Sequence, residues 1–436
     1  MKSRSVFSVD VYILTATLTL VVIGVLFIYS SGINSTGELV SREYLRQIVW
    51  AMTGLLILAG FSYFDYERLY GIAIPLFVGA LLLLIITLLF GRVVNGARSW
   101  IGIGGLGIQP SEFAKIATIV ILAKLAQDRR LENLGGFILG FGVALIPTFL
   151  VLAQPDLGTA MVFVPLYLGI AYFNGAKMRH IMFVLLSAGF LAFFTVLPAW
   201  EEYIAGEPIP AMSLLTDRRL LMAILSATAA IGAIGFVGHL FWRKRPFYWV
   251  GYLALILIIG LGGAFAARRV LQDYQIMRLI VFMDPYVDPR GAGWNIIQSV
   301  TAVGSGGAFG KGFLQGTQSH YQYLPQQSTD FIFSILAEEW GFIGGVTIFA
   351  LFLLILGRGL YILSQAKDRF AASVAGGVVS MLFFHFIINV GMAIGVMPIT
   401  GIPLFFLSYG GSSLWTGMMG VGLLMSIYSH RYKYTG

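Results

Sequence analysis

The run Val11-Tyr-Ile-Leu-Thr-Ala-Thr-Leu-Thr-Leu-Val-Val-Ile-Gly-Val-Leu-Phe-Ile-Tyr29 decides the fold of this chain. It carries no charge, and its ~19–20 residues match the hydrocarbon core of a bilayer at ~1.5 Å of rise per residue. It exceeds the apolar centre of a signal peptide, and no small-x-small cleavage site clearly follows it. It therefore reads as a retained first membrane helix. Further apolar runs of spanning length occur at roughly 47–64, 69–90, 110–126, 136–153, 159–174, 180–198, 219–241, 247–266, 331–357, 371–396 and 412–428. The expectation is an all-α polytopic membrane protein of about twelve transmembrane helices, with residues 1–436 forming a single integral membrane domain. Composition agrees: 58% of residues are hydrophobic and 11% charged, whereas soluble domains run nearer 25% charged. There is no cysteine, which excludes disulfides, thiolate metal sites and cysteine nucleophiles. The net charge of +8 is dispersed among membrane loops and is no nucleic-acid footprint.

Basic residues set the orientation. One set of loops carries Lys2 and Arg4, Arg68, Lys124 with Arg129 and Arg130, Lys177 and Arg179, Arg243-Lys-Arg245, Arg358 with Lys367 and Arg369, and Arg431 and Lys433. Every loop of that set is basic, which places it, and both termini, in the cytoplasm. The outer loops are less basic but still hold Arg98, Arg278 and Lys311 among others. Either long loops escape the rule, or an anionic ligand is bound at the outer surface. The longest outer loop, 267–330, contains Gly304-Ser-Gly-Gly-Ala-Phe-Gly-Lys-Gly312. A structureless loop of that length is uncommon, so short helices are expected within it.

Four polar stretches could carry chemistry. Leu324-Pro-Gln-Gln-Ser-Thr-Asp330-Phe-Ile-Phe sets a carboxylate, Asp330, where a polar loop meets an apolar helix. A carboxylate at a membrane edge is costly and marks a functional candidate, although Asp330 could instead cap the helix beginning at Phe331. Glu338 and Glu339 follow ~12–14 Å along that helix, with Lys115 or cytoplasmic loops as candidate partners. Asn95-Gly-Ala-Arg98-Ser-Trp100 precedes Gln109-Pro-Ser-Glu112-Phe-Ala-Lys115. Gln109 or Ser111 could cap that helix, and Glu112 and Lys115 share a face. They form either an intrahelical ion pair or the wall of a polar cavity. Gln154-Pro-Asp156-Leu-Gly-Thr159 offers Asp156 as a helix cap or as a second cleft carboxylate. Pro398-Ile-Thr-Gly-Ile-Pro403-Leu-Phe-Phe-Leu-Ser408-Tyr-Gly-Gly-Ser-Ser413 is a broken segment that fits a cavity wall. His385 and Asn389, four apart on one helix, read as a packed helix interface. No phosphate loop, dinucleotide fingerprint or HExxH motif occurs.

Together these stretches resemble the SEDS family of peptidoglycan polymerases (shape, elongation, division and sporulation). Gly96-Ala-Arg-Ser-Trp, Gln109-Pro-Ser-Glu-Phe-Ala-Lys, Gln154-Pro-Asp-Leu-Gly-Thr, Gly304-Ser-Gly-Gly, Thr329-Asp-Phe-Ile-Phe and Ser408-Tyr-Gly-Gly-Ser-Ser stand in family order over nearly the whole chain. Ala337-Glu-Glu and the short termini are closer to the elongation branch than to the division branch. The resemblance implies a C-type glycosyltransferase fold that polymerises lipid II on the outer face of the bacterial cytoplasmic membrane during cell elongation. It implies Asp330 as the essential loop aspartate, with Arg98, Trp100, Glu112, Lys115 and Asp156 in the conserved cavity. Gln154 and Ser408 lie within the shared motifs and join the substrate-binding candidates. Partners implied are a class B penicillin-binding protein for cross-linking, lipid II, undecaprenyl-diphosphate-linked glycan, membrane lipids and the elongation machinery. The chain departs from the family at Gln326, Ser328 and Phe405, and in an apolar hairpin within 201–266 that reads as an insertion before the outer loop.

The expected reaction is inverting glycan polymerisation with Asp330 as general base toward a sugar hydroxyl. Arg98, Lys115, Arg278 and Lys311 are candidates to stabilise the leaving diphosphate. A divalent cation, magnesium or manganese, could share that role, but no motif demonstrates one. The alternative readings are a lipid II flippase, which needs polar groups through the full membrane depth, and a non-catalytic scaffold for the cross-linking enzyme.

Overall fold

Each of the twelve apolar runs becomes one long helix. In the computed structural model these are α1 (Val11–Ser31), α2 (Glu43–Tyr63), α3 (Glu67–Phe90), α4 (Pro110–Asp128), α5 (Leu134–Leu152), α6 (Leu157–Phe173), α7 (Met178–Trp200), α8 (Arg218–Trp242), α9 (Arg245–Val270), α12 (Ile332–Ser364), α13 (Arg369–Ala393) and α14 (Gly411–His430). Two shorter helices, α10 (Asp273–Met283) and α11 (Trp294–Ser305), and a turn at Thr317–His320 lie in the long loop. The structure describes residues 9–431 apart from 95, 104, 105, 208, 210, 211, 213, 214, 216 and 322. The terminal basic residues Lys2, Arg4 and Lys433 lie outside the described residues, as does Asn95. Nine of the described helices are long and apolar enough to cross a membrane. Of the others, α4 carries Glu112, Lys115 and Lys124, α6 has 17 residues, and α14 is rich in glycine and serine.

Local chemistry starts these helices. Asp10 accepts from the Ile13 N–H at α1, and Asp368 accepts from the Ala371 N–H at α13. Pro110 opens α4, where its missing N–H costs nothing. Large apolar side chains such as Leu56, Phe90, Phe236 and Phe241 remain exposed, as a lipid-facing surface requires.

Two compact units emerge: residues 1–176 with 298–436, and residues 177–297. In the second, α8 and α9 form an antiparallel hairpin whose backbones meet at Gly235 and Gly251, while Gly238 seats the Phe247 ring. A Cβ on Gly235 would stand 2.7 Å from the Gly251 nitrogen.

In the first unit, hydrogen bonds tie the connections together at two opposite ends. At one end, Arg358 pairs with Asp10, the Tyr66 hydroxyl donates to Asp368, and Lys367 pairs with Glu67. At the other, Gln327 Nε2 donates to the Ser31 carbonyl, Gln47 Nε2 to the Ser408 carbonyl, and the Gln109 N–H to Ser412 Oγ. All the polar stretches singled out in this unit gather at this second end.

Two features depart from the sequence reading. The Arg98 stretch, expected as loop, is a small antiparallel sheet of β1 (Arg92–Val94), β2 (Ala97–Ile103) and β3 (Leu106–Ile108), pairing Val93 with Arg98 and Ile101 with Ile108. The second is a break in α12 at Gly341, with φ 65° and ψ −159°, a backbone region that is essentially glycine-only. The glycine-rich loop fills this break. Lys311 and Gly312 N–H groups donate to the carbonyls of Glu338 and Glu339, and Phe342 and Ile343 donate to those of Gly307 and Ala308. These bonds replace helical ones lost at the kink and give those backbone groups partners in an apolar setting.

Candidate functional site

Asp330 ends the turn that precedes α12. Its N–H donates to the Gln326 carbonyl (3.0 Å), and its own carbonyl accepts from Asn389 Nδ2 (2.9 Å). The helix cap at this point is Phe331, with no side-chain capping bond, so the structure does not use Asp330 as the N-cap. The residue is half-buried, and its Oδ2 lies 3.5 Å from where a Cβ of Gly401 would stand. The carboxylate thus faces the broken segment between α13 and α14. That segment is non-helical over residues 398–410. The turn is anchored on both sides: Gln327 to Ser31, and the Ser328 carbonyl to the Tyr409 N–H. Gln326 itself holds a positive φ of 54°.

One turn along α13 from Asn389, a buried polar cluster forms around His385. Lys115, fully buried on α4, places Nζ 2.7 Å from Glu112 Oε1 and 3.0 Å from His385 Nε2. The opposite ring nitrogen of His385 lies 2.9 Å from the Pro403 carbonyl. A carbonyl only accepts, so Nδ1 carries the proton and Nε2 presents a lone pair to the ammonium. The Phe405 ring packs 4.0 Å from the His385 ring and 5.4 Å from Lys115 Nζ. Glu112 and Lys115 therefore do form an intrahelical ion pair, extended by a histidine.

Asp156 caps α6, accepting from the N–H and the hydroxyl of Thr159. Burial pushes its carboxyl up, and the Thr159 bonds act in the opposite sense. Gln109 occupies the cap position of α4 without capping it; its side chain donates to Asp156 Oδ2 instead (3.0 Å). Ser408 is buried, with Oγ accepting from the Leu404 N–H. Gln154 is fully buried, and its Nε2 satisfies the Leu84 carbonyl near the end of α3. Arg98 is exposed on β2, whose N–H at that residue reaches the Gln154 carbonyl. Trp100 is half-buried, with its ring over Gly107. Arg278 lies in the second unit, beside the Tyr274 ring.

Lys311 does not stand free as an anion site. Its Nζ pairs with Glu338 Oε1 at 2.7 Å. Glu338 also collects the N–H groups of Thr317 and Gln318. Glu339 accepts from Ser30 Oγ and the Leu314 N–H, with His320 Nε2 at 3.6 Å. The partners of these two glutamates are thus neither Lys115 nor the opposite end of the bundle. They are the loop that fills the kink, folded back onto α12, together with Ser30 of α1. Sequence reasoning took His385 and Asn389 only as a packed helix interface; in the structure both bond backbone carbonyls of the irregular segments, and His385 also meets Lys115. The available signal was two hydrogen-bonding side chains on one face of an apolar helix. Among the described residues, no group of three or more His, Asp or Glu side chains is placed to hold a metal ion.

Nine of the described helices with the length and apolar character to cross a bilayer, and charges buried among the helices of the first unit, define a multi-pass membrane protein. The model of the FTSW_RODA_SPOVE family, described as cell cycle protein, matches residues 10–205 and 220–433, and the chain belongs to that family. The match runs through most of α8 and all of α9. The chain is 49% identical to peptidoglycan glycosyltransferase RodA of Treponema pallidum, over 98% of this chain and 99% of the relative. It is 32% identical to peptidoglycan glycosyltransferase MrdB of Escherichia coli, over 97% and 94% respectively. Among solved structures it resembles a chain from work on structural coordination of polymerization and crosslinking by a peptidoglycan synthase complex. That match has a TM-score of 0.68 and 27% identity, covering 98% of this chain and 99% of the other.

Proposed function

We infer that this peptidoglycan glycosyltransferase polymerises lipid II into glycan strands during cell elongation, with Asp330 as the general base. The single observation that carries the assignment of Asp330 is its setting. A half-buried carboxylate sits on a non-helical turn at the polar end of the bundle, with its main chain fixed on both sides and the broken 398–410 segment facing it. A carboxylate there can accept the proton of an acceptor sugar hydroxyl as that oxygen attacks the anomeric carbon of the donor. The bond from that carbon to the diphosphate breaks, and the polyprenyl diphosphate leaves with the electron pair. Positioned proton transfer of this kind contributes ~10²–10⁴-fold. Charge grows on the departing diphosphate, and Arg98 is an exposed cation suited to meet it. Lys115 and Lys311 are each paired with a glutamate, which favours a structural role for their charges over direct contact with substrate.

The polar end of the first unit is then the extracytoplasmic side of the bacterial cytoplasmic membrane, and both termini are cytoplasmic. The prenyl tails of lipid II and of the undecaprenyl-diphosphate-linked glycan lie among lipids between helices. A class B penicillin-binding protein supplies cross-linking, and the hairpin of α8 and α9 is a candidate surface for its membrane helix.

The test is polymerisation of purified lipid II, with and without the partner, by wild type and Asp330→Asn. Loss of the glycan ladder in a folded, partner-binding variant supports the reading. A persistent ladder removes Asp330 as base. No ladder from either protein with the partner present would favour lipid transport or scaffolding.

A further inference from the structure

We propose that Asn389 is the positioning residue for Asp330, a proposal that rests on the reading of Asp330 as base. Asn389 lies on α13 and is fully buried. Its amide nitrogen donates to two main-chain carbonyls, Asp330 at 2.9 Å and Ile402 at 2.8 Å. A primary amide has two N–H donors, so both are spent. The two carbonyls belong to the two irregular segments of the site, the turn that carries Asp330 and the broken segment that faces its carboxylate. Neither segment belongs to a regular ladder that would fix its carbonyls. One buried side chain on a rigid helix therefore sets the separation between the base and its facing wall.

The same helix face extends the register. His385, one turn earlier, bonds the Pro403 carbonyl through Nδ1 and receives the Lys115 ammonium at Nε2. Asn389 thus acts on the carboxylate side and His385 on the cation side of one scaffold. A bond to the Asp330 carbonyl fixes the backbone from which the carboxylate extends. Loss of that bond moves the carboxylate without changing its chemistry. Misplacement by ~1 Å can cost ~10²-fold in rate.

The experiment uses the full-length protein with its cross-linking partner and purified lipid II. Initial polymerisation rates against lipid II concentration give kcat and KM for wild type, Asp330→Asn, Asn389→Leu and Asn389→Asp. Amide hydrogen exchange over residues 326–335 and the melting temperature are read on the same samples. Leucine has nearly the shape of asparagine but no donor. Aspartate has its shape but turns acceptor oxygens toward both carbonyls. The proposal expects kcat to fall about tenfold or more in Asn389→Leu with KM within about twofold, faster exchange over 326–335, and partner binding intact. It expects Asn389→Asp to be at least as impaired. If Asn389→Leu does not fold, Asn389→Asp is read alone by the same criteria. Wild-type kcat in a folded Asn389 variant, with Asp330→Asn inactive, overturns the proposal and leaves the base intact. Full activity in Asp330→Asn overturns both.

Discussion

The buried ion pair on α4 gives a sharp quantitative prediction. Glu112 and Lys115 are 2% and 0% exposed and meet at 2.7 Å. Glu112→Gln keeps the volume and one acceptor oxygen but leaves the ammonium uncompensated. His385, whose other nitrogen is held by the Pro403 carbonyl, offers a lone pair and no charge. Removing one member of a buried pair costs about 3–5 kcal/mol. Lys115→Met leaves the Glu112 carboxylate stranded, with Oε2 already lacking a partner in the structure, and should cost a similar amount. The double variant removes both charges. Its remaining defect is the unpaired His385 Nε2, about 1–3 kcal/mol. The double variant should therefore be more stable than either single one, with a coupling energy of several kcal/mol. SDS-driven unfolding of the purified protein in mixed micelles, monitored by tryptophan fluorescence, measures the cycle. Additive losses, within the ~0.5 kcal/mol expected of independent sites, would refute the reasoning, because they would mean the two charges are solvated rather than paired.

Two further outcomes follow from named contacts. Gly341→Ala should cost about 1–3 kcal/mol from its backbone conformation alone, and more from the new Cβ, which would lie 2.8 Å from the Ala308 carbonyl; melting of the purified variant checks this, and an unchanged transition would mean the kink is not populated. Arg98→Ala, at an exposed position, should leave melting unchanged within ~0.5 kcal/mol yet slow polymerisation; a loss of stability without a loss of rate would reassign Arg98 to the sheet.

Helix positions were legible because bilayer thickness dictates the length of an apolar run, and little else competes with that signal. The β1–β3 sheet was not legible. Its strands are three to seven residues long and hold glycines and arginines, so no period of two has room to appear. The Gly341 break was hidden because hydropathy continues on both sides of it. Two clues were present, adjacent glutamates before a glycine and a glycine-rich loop about thirty residues earlier, but only the fold shows that one completes the other. Asn389 was read as packing because an i,i+4 pair identifies a face and not its ligand. Its ligands are carbonyls at residues 330 and 402, and a carbonyl leaves no trace in residue type.

The charges of the first unit separate into two kinds, and the separation bears on how the site works. Glu112, Lys115, Glu338 and Glu339 are buried within helices, and each is held by a charge or several hydrogen bonds. A charge so engaged cannot meet a substrate without first breaking those bonds. Arg98 and Asp330 instead sit on non-helical backbone and retain exposure. Catalysis gains from groups carried on loops that a rigid scaffold positions, and here the buried charges supply that scaffold. Glu338 and Glu339 hold residues 311–320, while Asn389 holds the Asp330 turn. Residues of the polar stretches therefore need not touch a substrate to support the groups that do.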